Sequence, residues 1–267
     1  MNRAKDGMNI LMVGDVVGAP GRLAFATVAG RMKQAGAADF VIVNAENAAG
    51  GRGLTPALAE ALLAAGADVI TLGDHAWDQK DLIKYLDLEP RVLRPANLAP
   101  ACPGRGWITV DTPQGRVTVL SVQGRTFMPP SDCPFRATDE ILKRGAELGR
   151  IIVAEMHGEA TSEKIAYGRY LDGRVSVVAG SHTHVQTADE TILPKGTAYL
   201  TDLGMTGPKD SVLGRDLAAV LKKFLTGMPQ AFEIAVNDVR CEGLLVSVDA
   251  QTGRASRVRR VQEKLEP

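Results

Sequence analysis

The sequence predicts an α/β fold, a central mixed sheet or two-sheet β-sandwich flanked by helices, and three observations carry that expectation. Short β-rich runs alternate with amphipathic segments from residue 9 to about residue 88. Later runs come in closely spaced pairs, near 106–123 and 241–261, as antiparallel hairpins do. The chain has 267 residues, 45% of them hydrophobic and only 4% aromatic, enough to bury one large core.

The first run, "NILMVG" (9–14), precedes a helix over 20–36, where Pro20 suits the first turn and Gly36 a C-terminal cap. "DFVIVN" (39–44) precedes a helix over 55–66, with Thr55 as N-cap and Pro56 behind it. "DVITLG" (68–73) precedes "DQKDLIKYL" (78–86), with Asp78 expected as N-cap. "GWITVD" and "GRVTVLSVQ", joined through "TPQG", form the first expected hairpin. "RIIVAEMH" and "VSVVAGSH" then alternate with helical segments over 135–149 and 160–171. The tail, 241–261, is a second hairpin turning near Gln251 to Gly253. A parallel-type half and a hairpin-rich half together require a mixed arrangement of strands. No repeat or low-complexity linker interrupts the chain, so a single domain over 9–263 is expected, after a disordered lead over 1–8.

Charge and cysteine usage narrow the functional classes. Thirty-one basic and 31 acidic residues cancel, which gives no bulk attraction for nucleic acid or a membrane surface. Cys102, Cys133 and Cys241 are far apart and in no Cys-x-x-Cys spacing, which disfavours a disulfide framework or a thiolate zinc site. The apolar "ILMV" is too short for a signal-peptide core, and no run approaches the ~20 apolar residues of a membrane span. A cytoplasmic protein is expected.

The polar residues behind the apolar runs form a pattern. Asp15 follows the first run, Glu46 and Asn47 the second, Asp74 and His75 the third; His157 ends "IIVAEMH", and His182 and His184 follow "VSVVAGS". All four histidines of the chain occupy such positions. Side chains at the C-terminal ends of parallel strands converge on one crevice. Taken singly, an acid at a strand end is more often a turn or capping residue, and a lone histidine is usually a hydrogen-bonded surface residue. Jointly, three carboxylates, an amide and four imidazoles suffice to hold two metal ions, with oxygen and nitrogen donors suited to Mn, Fe or Zn. "GDVVGAPG" lacks the G-x-G-x-x-G spacing of a dinucleotide site, and "HTHVQTAD" lacks the acid and histidine of a His-x-His-x-Asp-His motif.

Eight motifs in order, "GDVVGAPGR", "NAENAAGGRGLT", "GDHAWD", "RPAN", "QGRTFMPP", "HGEATSEK", "GSHTHVQTAD" and "LPKGTAYLTDLGMTGP", resemble the YmdB-like branch of the calcineurin-type metallophosphoesterases. The resemblance runs from about Met8 to the C-terminal hairpin. It implies the calcineurin-like metallophosphoesterase fold and a dinuclear centre of iron and/or manganese, with zinc also compatible. Residue by residue, it implies that Asp15, Glu46, Asn47 and His184 hold one metal. Glu46 bridges to the other, held also by Asp74, His157 and His182, and His75 is the proton donor. Val17 stands where the wider superfamily has a histidine ligand, with Asn47 in its stead. The family usually has Gly-Asn-His where this chain has Gly73-Asp74-His75, which adds a charge. The implied activity is hydrolysis of phosphodiesters, cyclic nucleotides linked 2′,3′ or 3′,5′ above all, in a protein that forms homo-oligomers. The alternative is a metal-binding regulatory protein with a nearly inactive site. Arg94, Asn97 and Arg125 are candidates for contacting phosphate or shaping the pocket, and equally for ordinary loop positions.

Overall fold

The computed structural model describes residues 7–266. Strand β1 (Gly7–Val13) is followed by the two-residue β2 (Asp15–Val16), helix α1 (Gly18–Gln34), β3 (Phe40–Asn44), α2 (Pro56–Ala64), β4 (Val69–Thr71), α3 (Lys80–Leu88) and β5 (Val92–Leu93). The first hairpin is β6 (Trp107–Thr112) and β7 (Gly115–Gln123). Then come α4 (Pro134–Leu142), β8 (Ile151–His157), α5 (Thr161–Leu171), β9 (Val177–Ser181), β10 (Thr191–Ile192), β11 (Ala198–Leu200), β12 (Met205–Pro208) and α6 (Leu217–Thr226). The closing hairpin is β13 (Val239–Asp249) and β14 (Ala255–Lys264).

These strands form two sheets. One runs β2-β12-β13-β1-β3-β4-β5, with β14 on β13; the other runs β10-β11-β9-β8-β7-β6. Strands β1, β3, β4 and β5 are mutually parallel, as are β7, β8, β9 and β11, while β13 enters the first sheet antiparallel to β1. The alternation of side chains along a strand sorts the core into layers. Ile10, Met12, Ile42 and Val69 of the first sheet pack on Val119, Val153 and Val177 of the second. Leu11, Val13, Val41 and Ile70 face the other way, onto α1 and α2. Leu120, Ala154, Met156 and Val178 lie under Ile141 of α4 and Tyr167 of α5. The result is a β-sandwich with helices on both outer faces, as expected.

Several local expectations change. Gly7 and Met8 belong to β1, paired with Asp249 and Val248, and Met8 is fully buried, so the lead does not extend to residue 8; residues 1–6 lie outside the described residues. Thr55 caps α2 through a bond from the Leu58 N–H. Asp78 caps nothing: α3 starts two residues later, with Gln79 at the N-cap and no side-chain cap. The helix expected over 135–149 stops at Leu142; Gly145, at φ 49°, opens only a short 3₁₀ turn to Glu147. Among the described residues no helix is long and apolar enough to cross a membrane.

Candidate metal centre

The alternation that builds the inter-sheet core also builds the site. The inward-facing rows of β3, β4, β8 and β9 begin with aliphatic residues and end, at the C-terminal end of the strand, in a polar one. Ile42 is followed on the same face by Asn44, Val69 by Thr71, Val153 by Glu155 and His157, and Ala179 by Ser181. The first residues beyond β1, β3, β4 and β9 then supply Asp15, Glu46, Asn47, Asp74, His75, His182 and His184, so all the predicted site residues meet at one end of the sandwich.

Glu46, Asp74, His157 and His182 form the tightest group, each offering a ligand atom within 4.8 Å of all the others. His157 Nε2 lies 2.9 Å from Glu46 Oε1, 3.0 Å from Asp74 Oδ1 and 3.0 Å from His182 Nδ1. Two imidazole nitrogens facing each other at this range need a proton or another cation between their lone pairs. Burial disfavours charge on His157, yet Glu46 and Asp74 hold its imidazolium well above the ordinary histidine range. Burial likewise opposes ionisation of Asp74, but hydrogen bonds from His157 and His182 pull its carboxyl well below the usual range.

Asp15, Asn47 and His184 adjoin this group. The fully buried Asp15 accepts from the His182 backbone N–H through Oδ2 at 3.2 Å, while its buried Oδ1 has no hydrogen-bond partner among the described residues. His184 Nε2 stands 3.8 Å from that orphaned oxygen and 3.3 Å from Asn47 Oδ1. Burial raises the Asp15 carboxyl to about 7 despite nearby His157, and lowers His184 to about 4, leaving a neutral imidazole able to ligate. An orphaned carboxylate oxygen, a neutral imidazole, two buried acids and the partly exposed Asp74 in one cleft fit cation binding.

The backbone supports this arrangement at two costs. His182 and His184 hold φ values of 96° and 62°, conformations that non-glycine residues rarely adopt. Asp202 fixes the residue between them: its carboxylate accepts from Thr183 Oγ1 at 2.7 Å and from Lys164 Nζ at 2.6 Å, with Asp202 and Lys164 both buried. Gly73 has no side chain because a Cβ there would lie 2.1 Å from the His157 ring.

A polar layer beneath these candidate ligands orients them. Ser181 Oγ donates to Glu155 Oε1 at 2.6 Å and stands 2.9 Å from His157 Nδ1, so the imidazole N–H points at the serine and Nε2 faces the cleft. Asn44 donates to Glu155 at 2.7 Å, and the Thr71 hydroxyl also donates to it. Sequence reasoning missed Glu155, Asn44, Ser181, Asp202 and Lys164. Its available signal was a polar residue at an inward position of an apolar strand, as in "IIVAEMH" and "FVIVN".

His75 sits outside the tight group. Its backbone N–H donates to Glu46 Oε2 at 3.3 Å, and its Nδ1 faces Asp78 Oδ2 at 3.0 Å. Arg52 Nε holds the same Asp78 oxygen at 2.9 Å. The "RPAN" residues are structural: Arg94 donates to the carbonyls of Pro95, Cys102 and Pro103, and Asn97 donates to those of Gln123 and Asp132. The Arg125 side chain is exposed, and its bonds are made by the backbone: the N–H donates to Glu163 and the carbonyl accepts from the Met128 N–H.

This geometry agrees with what the chain resembles. A family model described as a YmdB-like protein matches residues 11–261. The chain belongs to the YmdB-like family. It is 45% identical over 254 residues to a Bacillus subtilis strain 168 protein named 2′,3′-cyclic-nucleotide 2′-phosphodiesterase, covering 95% of this chain and 96% of that protein. The solved structure of a hypothetical protein from Thermus thermophilus matches with a TM-score of 0.91 at 40% identity, over 97% of this chain and 100% of the other. That of a Mycoplasma pneumoniae protein described as a novel phosphatase matches with a TM-score of 0.90 at 31% identity, over 97% and 94%. The fold of this YmdB-like chain is therefore that of its solved relatives across nearly its whole length.

Proposed function

We propose that the chain is a dinuclear-metal phosphodiesterase acting on cyclic nucleotides, 2′,3′- or 3′,5′-linked, with iron and/or manganese in the site. The observation that carries this reading is the pairing of the Glu46, Asp74, His157 and His182 group with a histidine beside it, His75, that has an acid of its own. Asp15, Glu46, Asn47 and His184 would hold one ion, and Glu46, Asp74, His157 and His182 the other. Metal ions bound there supply a water-derived nucleophile near neutral pH and neutralise phosphate oxygens.

The protein's own part is positioning and proton transfer. Asp78 accepts from His75 Nδ1, which orients the ring so that Nε2 can give a proton to the leaving oxygen. Arg52 keeps Asp78 in place. Arg125, with no side-chain partner among the described residues, is the free guanidinium on the loop that follows β7, where Gly124 donates to the His157 carbonyl. It is suited to bind phosphate as the ester enters. Because the ligands come from both sheets, the sandwich acts as one catalytic domain. The cysteines, all unpaired, suit a cytoplasmic setting.

The test is metal analysis and bis-p-nitrophenyl phosphate turnover of the intact protein beside His75→Ala. Full metal content with turnover lost only in the variant is expected, a fall on the order of 100-fold or more. A fully active variant would remove His75 from the proton-donor role. A fully metallated wild type without turnover would favour the metal-binding regulatory reading.

A further inference from the structure

The two metal positions are not built alike, and the difference lies behind the ligands. Both histidines of the Glu46, Asp74, His157 and His182 position are backed by a carboxylate, one through a serine hydroxyl and one directly. His157 Nδ1 reaches Glu155 through Ser181, and His182 Nε2 lies 3.2 Å from Glu159 Oε2. His184, the lone histidine of the Asp15 position, points Nδ1 only at the Leu213 backbone carbonyl, at 3.4 Å. A carboxylate behind an imidazole fixes its tautomer and raises its basicity as a ligand; a carbonyl does so less. The first position is also preassembled within 4.8 Å, and among the described residues Asp15 belongs to no such group.

We infer that the two positions fill in order, the one holding His157 and His182 first and more tightly, with Glu159 as the positioning residue behind His182. This rests on the two-metal reading above. The enzyme then exists at limiting metal as a singly loaded form, and the Asp15, Asn47 and His184 position makes it responsive to the free cation concentration. Asp74 strengthens the same asymmetry by placing a second carboxylate beside Glu46 in the first position.

The experiment is titration of metal-free protein with Mn²⁺, followed by calorimetry and electron paramagnetic resonance. Two steps are expected, the second at least roughly tenfold weaker, with an isolated-ion signal after the first equivalent and a coupled one after the second. Glu159 is half exposed, with a side chain 49% accessible, so its replacement leaves the fold intact, which circular dichroism checks. Glu159→Ala should weaken the first step about tenfold, the low end for such outer carboxylates. Glu159→Gln, which keeps an acceptor oxygen, should recover most of that loss, and Asn47→Ala should weaken only the second step. Two equal steps, an unchanged first step in Glu159→Ala, or a weakened first step in Asn47→Ala would each overturn the order. Binding of fewer than two ions would instead overturn the two-metal reading itself.

Discussion

At the scale of single residues, Gly73 and Lys164 show how closely the site is fitted to the core. In Gly73→Ala the new methyl meets the His157 ring, so the imidazole must leave the Glu46 and Asp74 carboxylates. Turnover should fall by about 100-fold, as for misplacements near 1 Å, with metal content reduced in the purified protein. Lys164 and Asp202 form a buried pair, and removing one charge strands the other. Lys164→Met should cost about 3–5 kcal/mol in urea unfolding and loosen Thr183 between the two histidines. Asp74→Asn removes one charge from the site: two divalent ions with the carboxylates of Asp15 and Glu46 carry a net +2, and Asp74 lowers that to +1. The variant should retain metal less well yet turn over faster per bound metal; equal values in both assays would show that the carboxylate has no effect.

At the scale of elements, the loops that leave the parallel strands carry chemistry because the strands fix where they begin. The two left-handed histidines stay in place because Asp202 binds Thr183 between them. A separate clip joins α4 to α5: Asp139 accepts from Tyr170 and from Arg174, both at 2.6 Å. Those bonds hold its carboxyl below the ordinary value, so their stabilisation is present above the unfolded carboxyl's range and is lost as pH falls through the lower, folded value. Asp139→Asn should therefore flatten the acid limb of the thermal-stability profile while leaving the neutral limb little changed, since the clip is at the surface.

This scale also separates what the letters disclosed from what they hid. The alternating apolar runs gave β1, β3, β4, β8 and β9, because one inward row per strand must be aliphatic to join the sheets. Asp78 was misread because an acid before an amphipathic run looks like a cap; here it is turned toward His75 and Arg52. Strands β10 to β12 and helix α6 were not legible, being too short or too weakly patterned to stand out. Arg94 and Asn97, candidates for phosphate contact, spend their donors on backbone carbonyls, a use that depends on loops remote in sequence.

At the scale of the whole molecule, the centre joins the two sheets. Asp15, Glu46 and Asp74 follow strands of the first sheet, and His157 and His182 come from the second. Metal bound between them should hold the sandwich together. At 100 times the dissociation constant, binding adds about 2.7 kcal/mol, or roughly 5–10 °C in melting temperature for a chain of this size. Thermal scans with and without a chelator should show that difference, and Glu46→Gln should abolish most of it.

By itself the sequence determined the class of fold, the family, and the side chains that gather at the strand exits. Each depends on local order: period-two alternation places the core, and a strand's end dictates which residue leaves it. Tertiary structure alone decided which acid stands behind which histidine. Glu155 reaches His157 through Ser181, Glu159 meets His182, and Asp78 meets His75. The first of these links crosses between neighbouring strands, where the distance between two side chains is set by sheet register and twist and not by their separation in the chain.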